Sequence, residues 1–391
     1  MTNEELRLYR AKLFRDASSL EQKPEKIPHM SFFVTWKILD AGYKLSEAMN
    51  DYDIMEKVVR RHQEEYGFDC ILEMGARNAI RIPMALGNCS YYVNDEAGTV
   101  NYVDKSICEH GELRELAADV KKFFWEKGMA RKYDKWANGT VTLEDMQRVV
   151  DEQTAFMQYM GKITQIMQDE YALPPYAAPK GYGYIGLDFM FNTVRGIRGL
   201  SIDMRKDKGA LQEACAALNE IYYKPGIEAL RAAPVGPAMH AAFDYDLTLL
   251  CHTILNNKQF AEYLWPYMKE TLDVLAEKKM TVRLFMEGSC KRFWEYFKDV
   301  PKGVIVMHPE QDDVFELRRE LPNVAILGGM PVSLLGTGTK EQCVDRVKQL
   351  FEELGKDGGF MLTQDKMVSF RNDANPENVK AVCDFVREYN G

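Results

Sequence analysis

The strongest constraint on the fold is a regular alternation of short apolar runs with helix-length amphipathic segments. Continuous apolar runs of this length suit parallel strands that are buried on both faces. About eight such runs occur, and they are IPHMSFFV (27–34), FDCILEM (68–74), YGYIGLDFM (182–190), AMHAAFD (238–244), TVRLFME (281–287), GVIVMH (303–308), VAILGG (324–329) and GFMLTQ (359–364). We therefore predict an α/β fold, a (β/α)8 TIM barrel.

The first 175 residues contain more than strand-and-helix units. A polar amphipathic helix is expected over residues 1–25, a hairpin within 80–110 and charged helices over 111–175. We predict one barrel domain over residues 1–391, in which residues 1–175 include a helical and hairpin elaboration. A doubly wound open sheet is the alternative fold, but no GxGxxG motif follows any of the apolar runs.

Two helix starts near the end of the chain are well marked. Thr339 followed by Gln342 has the spacing of a capping box, and Gly355 stands where a C-terminal cap glycine belongs. Asn375 followed by Pro376 is a typical N-cap with proline in the first turn. These signals predict helices directly after the last two regular strands.

The charge balance and the cysteine pattern limit the classes of protein. Lys and Arg total 50 and Asp and Glu total 59, so the net charge of −9 argues against nucleic acid as a partner. No apolar stretch approaches the roughly 18 residues that a membrane helix needs, and the charged N-terminus has no apolar signal-peptide core. The eight cysteines are scattered and form no CxxC, which is typical of reduced thiols. We expect a cytoplasmic protein with no membrane partner.

Polar residues that end the apolar runs are the candidate functional groups, because barrel active sites lie at the C-terminal ends of strands. Glu287 ends one run and His308 ends the next, with twenty residues between them. Their side chains should therefore share one rim of the barrel. A carboxylate and an imidazole suit a zinc ion, or equally a general acid–base pair. The alternative is structural: Glu287 caps a helix and His308 hydrogen-bonds a loop.

Five further residues are candidates with weaker support. Asp244 ends its run and is expected on the same rim, whereas His240 lies inside that run and suits a ligand or a core histidine. Cys290 is a possible soft ligand or simply part of a first helical turn. Gln364 and Asp365 end the last run and could orient a substrate.

One arginine-containing segment could bind an anion. VRGIRG (194–199) places Arg195 and Arg198 beside glycines, although the start of a helix explains it as well. The glycine-rich segment GGMPVSLLGTGT (328–339) lacks the GK[ST] of a phosphate-binding loop. These segments add no firm site.

The C-terminal third resembles the uroporphyrinogen decarboxylase superfamily. The residues that carry the resemblance are NVAILGGMPVSLLGTGTKEQCVDRVKQLFEELGKDGGFMLTQ and NPENVKAVCDFVREY. The segments EQKPEKIPHM and GYGYIGLDFMFNTVRGIRGLSIDM resemble the family's first strand and its "RG-x-x-G-x-x-x-D" segment. The resemblance covers most of the chain and implies a (β/α)8 barrel.

The superfamily holds decarboxylases and corrinoid-dependent methyltransferases, and the motifs separate them. The decarboxylases carry "RQAGRY", whose arginines hold substrate carboxylates, but this chain has IPHMSFF without arginine there. Methyltransferases that use a thiol acceptor carry "H-x-C" and a later Cys. At those places this chain has Phe285-Met286-Glu287 and Thr363-Gln364-Asp365. Both of these departures favour a third group.

The remaining resemblance is to the methyltransferase I components of anaerobic O-demethylase systems. Their zinc pattern is Glu, then Glu, then twenty residues to His, and Glu287 and His308 match the last two members. The first Glu is not matched, because position 272 is Leu. Asp244, His240 or Cys290 would then serve as the third ligand.

The resemblance implies a zinc-dependent methyltransferase. It would move a methyl group from a small aryl methyl ether to Co(I) of a corrinoid (cobalamin) held by a partner protein, since the chain has no DxHxxG motif. Three alternatives stay open: a decarboxylase-like lyase, a methylcorrinoid-to-acceptor methyltransferase, and a binding barrel without enzyme activity.

Overall fold

The computed structural model describes residues 1–74, 80–87, 91–103, 105–177 and 184–389. The strands are β1 (Met30–Ser31), β2 (Cys70–Ile71), β3 (Tyr91–Asn94), β4 (Thr99–Tyr102), β5 (Tyr245–Leu249), β6 (Val282–Met286), β7 (Ile305–Pro309), β8 (Ala325–Met330) and β9 (Phe360–Gln364). The strands β5 to β9 form one parallel sheet in sequence order, β1 pairs with β2 in parallel, and β3 and β4 form an antiparallel hairpin.

The helices lie between and outside the strands. The α-helices are α1 (Asn3–Ser19), α2 (Trp36–Asp40), α3 (Leu45–Asn50), α4 (Tyr52–Tyr66), α5 (Arg81–Met84), α6 (Leu113–Ala118), α7 (Val120–Phe123), α8 (Met129–Lys132), α9 (Asp134–Ala137), α10 (Leu143–Asp169), α11 (Gly186–Phe189), α12 (Gly196–Lys206), α13 (Lys208–Leu218), α14 (Lys224–Ala232), α15 (Asn257–Gln259), α16 (Trp265–Glu277), α17 (Val314–Glu320), α18 (Val332–Thr337), α19 (Lys340–Glu353) and α20 (Pro376–Glu388). Short 3-10 helices span His110–Glu112, Cys251–Ile254 and Lys291–Phe297, and π-helical turns span Phe124–Gly128, Met190–Arg195, Asn219–Tyr223 and Phe260–Leu264.

The parallel strands close into a ring, which confirms the predicted TIM barrel. A parallel bridge between His29 and Leu362 joins β9 to β1. A second parallel bridge joins Ala177 to Phe243, just before β5. On the other side of that segment, the thiol of Cys70 on β2 donates to the carbonyl of Pro174 at 3.7 Å. The segment 172–177 therefore occupies the third position of the barrel, between β2 and β5.

Two predicted strands are wrong in position. The run 182–190 is helical from residue 186 onward, because α11 and a π-helical turn cover residues 186–195; residues 182–183 lie outside the described residues. The run 238–244 forms turns, and β5 begins directly after it. In β5 the buried residues alternate with more exposed ones, since Tyr245, Leu247 and Leu249 face the helices while the residues between them face the barrel interior. This alternation is the reason that β5 escaped a search for continuous apolar runs.

The predicted helix caps near the end of the chain are confirmed. Thr339 Oγ1 accepts from the backbone N–H of Gln342 at 3.3 Å, and the Gln342 side chain accepts from Thr339 N–H at 2.9 Å. Asn375 Oδ1 accepts from Glu377 N–H at 3.0 Å, with Pro376 in the first turn of α20. These bonds satisfy N–H groups that would otherwise lack a partner. They fix the helices that follow β8 and β9.

Helix α1 closes the N-terminal end of the barrel. Its buried Phe14 and Ala17 belong to an apolar cluster at the starts of the strands, together with Met30, Cys70, Ala242, Phe243, Val306, Ala325, Leu327 and Met361. The rings of Phe14 and Phe243 meet edge to face, 5.7 Å apart. Because side chains fill this end, a ligand would reach the barrel interior from the C-terminal ends of the strands, which we call the open end.

The cysteines and helices add little further constraint. The seven cysteines of the described residues are unpaired and buried, and Cys89 lies outside the described residues. Across the described part of the chain, no helix has both the length and the apolar character that a membrane crossing requires.

The predicted hairpin is confirmed by the pairing of β3 with β4, from Tyr91 opposite Tyr102 to Asn94 opposite Thr99.

Candidate functional site at the C-terminal end of the barrel

A chain of hydrogen bonds crosses the barrel interior from β5 to β1. Arg283 on β6 donates through Nη1 to Asp246 Oδ1 at 3.1 Å. Its Nε and Nη2 donate to Nδ1 of His308 at 3.2 and 2.7 Å. His308 Nε2 in turn donates to the carbonyl oxygen of Gln364 at 2.7 Å, and Gln364 Oε1 accepts from Phe32 N–H at 2.9 Å. Side chains and backbone from five positions of the barrel are thereby linked.

The protonation state of His308 follows from its two partners. An arginine side chain can only donate, so Nδ1 of His308 is the acceptor and the ring proton lies on Nε2. Burial first, and then the positive charge of Arg283, hold the pKa of His308 well below its usual value. His308 is therefore a neutral, fully buried imidazole.

Arg283 is a buried cation surrounded by aromatic rings. Its guanidinium carbon lies 4.9 Å from the ring centres of Phe32 and Phe285 and 5.8 Å from that of Tyr176. Burial acts against the charged form, but the negative charge of Asp246 and the Tyr176 hydroxyl outweigh it and raise the pKa of Arg283. The ion pair with Asp246 compensates the charge inside the barrel.

Carboxylates from the loop after β7 hold the turn after β6. Glu310 accepts from the backbone N–H of Gly288 at 2.6 Å. Asp312 accepts from the N–H of Cys290 at 2.9 Å and from its thiol at 3.1 Å. Glu287, at the end of β6, is exposed, and its backbone N–H donates to Leu249. The ends of β6 and β7 are therefore adjacent at the open end, as predicted. Glu310 and Asp312 were not predicted, although the acidic sequence after His308 was a signal for them.

Asp365 is an acid at the open end with a strongly shifted pKa. It follows β9, and its Oδ1 accepts from the N–H of Val332, the first residue of α18, at 3.0 Å. Burial is the main cause that raises the pKa of Asp365 from 3.8 to about 6, with Glu310 adding to it. A carboxyl group with this pKa changes protonation near neutral pH, which suits general acid–base chemistry.

Asp244 lies at the other end of the barrel, contrary to its predicted rim position, and His240 lies near it. Asp244 precedes β5, and its Oδ2 accepts from the N–H of Thr281, which precedes β6, at 2.9 Å. His240 is exposed in the turn before them. The length of β5 separates Asp244 from the end that carries Glu287, about 16 Å at ~3.3 Å per residue. The run 238–244 ends where β5 begins. Asp244 therefore lies before the start of a strand, whereas the sequence pattern predicted it at the end of one.

Two buried polar residues near the end of β5 escaped the sequence reading. Asp188 accepts from the backbone N–H groups of Leu250 and Cys251 at 2.9 and 2.8 Å, and it lies in the run that was interpreted as a strand. His252 is fully buried, and neither of its ring nitrogens has a hydrogen-bond partner among the described residues. Burial, and then Arg292, lower the pKa of His252 to about 4.

Comparison with known proteins identifies the family. A model of the family "Uroporphyrinogen decarboxylase (URO-D)" matches residues 141–389, more than half of the chain. The protein belongs to the uroporphyrinogen decarboxylase family. Its fold is similar to that of a methyltransferase from Methanosarcina mazei, with a TM-score of 0.59 and 13% identity over 97% of this chain and 98% of the other. No curated protein sequence matches the chain.

The predicted zinc ligands do not form a metal-binding site in the described structure. His308 has no lone pair to offer, because Nδ1 accepts from Arg283 and Nε2 carries the proton. Burial first, and then Asp312, raise the pKa of Cys290 well above its usual value, so the protonated thiol is favoured. Among the described residues, no three His, Cys, Asp or Glu side chains form a group that could hold a metal ion.

The arginines of the VRGIRG segment do not line the barrel interior of this family member. Arg195 is buried and pairs with Asp203, with Nε to Oδ2 at 2.6 Å and Nη2 to Oδ1 at 3.0 Å. Its Nη1 also donates to Ser106 Oγ at 3.0 Å. Arg198 is exposed on α12. Arg195 therefore stabilises the packing of α12, which agrees with the structural interpretation of this segment.

Proposed function

We propose that this protein is a methyltransferase that moves a methyl group from a small aryl methyl ether to the cobalt of a corrinoid held by a separate protein. The main support is the likeness of fold to a methyltransferase over 97% of the chain. That likeness includes the elaboration before residue 141, which the family model does not match.

The arginines support this proposal over decarboxylation of an acidic tetrapyrrole. Several substrate carboxylates would need several cationic partners inside the barrel. The segment 27–34 contains no arginine. Arg283 is committed to Asp246 and His308, and Arg195 to Asp203. The described interior therefore suits a largely uncharged ligand better than a polycarboxylate.

The corrinoid protein would approach the end of the barrel that α1 leaves open. Cobalt must come within near-attack distance of the methyl carbon, in line with the C–O bond. Side chains of α1 and of the strand starts fill the opposite end. We therefore place the docking surface around the ends of β6, β7 and β9.

Asp365 is our candidate for the acid that assists departure of the phenol. In the transfer, an electron pair of Co(I) forms the bond to the methyl carbon while the C–O bond breaks and its electrons remain on oxygen. That oxygen becomes a phenolate and takes the proton of Asp365. With a pKa of about 6 for Asp365 and ~10 for a phenol, this proton transfer is favourable. Solvent then returns a proton to Asp365.

The test is methyl transfer to Co(I), followed spectroscopically with a cognate corrinoid protein. Aryl methyl ethers should react far faster than alkyl methyl ethers, because a phenol is the better leaving group. Asp365→Asn should lose most of the activity below about pH 6, where the wild-type carboxyl is protonated, and the difference from wild type should shrink as the pH rises above 6. Asp345→Asn, on the exposed surface of α19, should retain the activity. Preferential turnover of methanol or methylamines would reject the aryl ether. Release of CO2 from a carboxylated tetrapyrrole would reject methyl transfer.

A further inference from the structure

Arg283 is not among the residues that the family resemblance points to, but it is central to the hydrogen-bond chain in the barrel interior. Arg283 lies early in β6, whereas His308 lies opposite Phe285, two residues further along that strand. The Arg283 side chain therefore extends along the interior towards the open end. There it meets the His308 ring edge at Nδ1 through two N–H groups.

The position of the ring proton determines whether His308 can bind a metal ion. A histidine that binds a metal uses the lone pair of one ring nitrogen, and the other nitrogen then carries the proton. Binding through Nε2 would require the proton on Nδ1, where the guanidinium N–H groups already point. Binding through Nδ1 would require the removal of Arg283. The arrangement with Gln364 is the one in which every partner of His308 is satisfied.

We propose that Arg283 is a positioning residue that fixes His308 as the Nε2–H tautomer, withholds it from metal ions, and through it holds the backbone carbonyl of Gln364 at the end of β9. The same chain keeps Gln364 Oε1 on Phe32 N–H, so it also ties β9 to the segment after β1. His308 is then a link in a hydrogen-bond chain, and its resemblance to a zinc ligand is one of spacing alone. This inference does not depend on methyl transfer.

Two structural features keep Arg283 in place. Asp246 anchors Nη1, and the rings of Phe32 and Phe285 lie at equal distances of 4.9 Å from the guanidinium carbon. Each ring offers a negative face to the cation. A lysine at position 283 would keep the charge and one donor for Nδ1 but not the paired geometry.

The test is ¹⁵N NMR of the full chain labelled at its six histidines, with His308→Gln used to assign the His308 signals. Wild type should show Nε2 protonated and Nδ1 unprotonated, and one equivalent of zinc should leave both signals unchanged. Arg283→Lys should retain this tautomer. The double variant Asp246→Asn, Arg283→Met, which leaves no unpaired charge, should show a mixture of tautomers.

The zinc content of purified protein is the second measurement. Wild type and His308→Gln, purified without chelator, should contain the same amount of zinc, and exposed His240→Gln serves as the matched control. Stoichiometric zinc that is lost only in His308→Gln would overturn the proposal. A single Nε2–H tautomer in the double variant would overturn the role of Arg283. If the double variant does not fold, the wild-type tautomer and the zinc content still test whether His308 is the Nε2–H tautomer and is withheld from metal ions. Neither readout requires a methyl donor, so failure here is distinct from failure of the proposed activity.

Discussion

Replacing Asp365 by Asn should stabilise the protein at neutral pH while impairing the proposed chemistry. The pKa of Asp365 rises from 3.8 to about 6 on folding, so the folded state favours the protonated carboxyl. A shift of about two units corresponds to roughly 3 kcal/mol. This cost vanishes only below about pH 3, where the carboxyl is protonated in both states, and it approaches its full value once the pH exceeds the folded pKa. Asn is uncharged at every pH and keeps an oxygen that can accept from Val332 N–H.

The measurement is the free energy of unfolding in denaturant from pH 4 to pH 8, for wild type and Asp365→Asn. The variant should gain at most about 3 kcal/mol over wild type at pH 8, and the gain should fall to about 0.5 kcal/mol near pH 4. Asp345→Asn controls for the loss of a surface charge. Other titrating groups are common to both proteins, so they cancel in the difference. A difference that stays constant across this range would refute the buried position of the Asp365 carboxyl.

Three further substitutions test the packing and the buried ion pair. Arg283→Met should cost about 3–5 kcal/mol in denaturant unfolding, because Asp246 is left buried without its partner, and adding Asp246→Asn should restore part of that loss. Phe14→Ala should cost about 3–5 kcal/mol by opening a cavity under the barrel, whereas Leu8→Ala on the exposed side of α1 should cost far less. Gly355→Ala should lower the melting temperature, since an added Cβ would lie 2.3 Å from Ile27 Cδ1.

The later strands could be predicted from the sequence because they are continuous apolar runs. β6 and β9 fall inside the predicted segments, and β7 and β8 extend one residue beyond theirs. The third barrel position could not be found in this way. It contains Pro174 and Pro175, which have no N–H to donate. Among the described residues, two backbone hydrogen bonds join it to the segment before β5: Ala242 N–H donates to Pro175 at 2.9 Å and Phe243 N–H donates to Tyr176 at 3.1 Å. Its pairing is visible only in three dimensions.

The candidate site was predicted in part, for a physical reason that Arg283 illustrates. The ends of β6 and β7 were correctly placed together, but the assignment of ligands considered only residues that end the runs. Arg283 stands inside the run TVRLFME, where a charged residue requires a buried partner. That partner, Asp246, lies on a strand whose polar residues alternate with apolar ones. Whether two such residues meet depends on strand register, which spacing along the chain does not reveal.

The closure of the ring through β1 has a consequence for how the chain folds during synthesis. Thr363 Oγ1 donates to the carbonyl of Met30 across a separation of 333 residues. At the usual rate of about 5–20 residues per second, β1 leaves the ribosome roughly 20–70 s before its neighbour β9 does. Throughout that interval one edge of β1 and the apolar side of α1 lack their final partners, which favours mispairing with other chains. The nascent protein should therefore be most prone to aggregate in the period before β9 has been made.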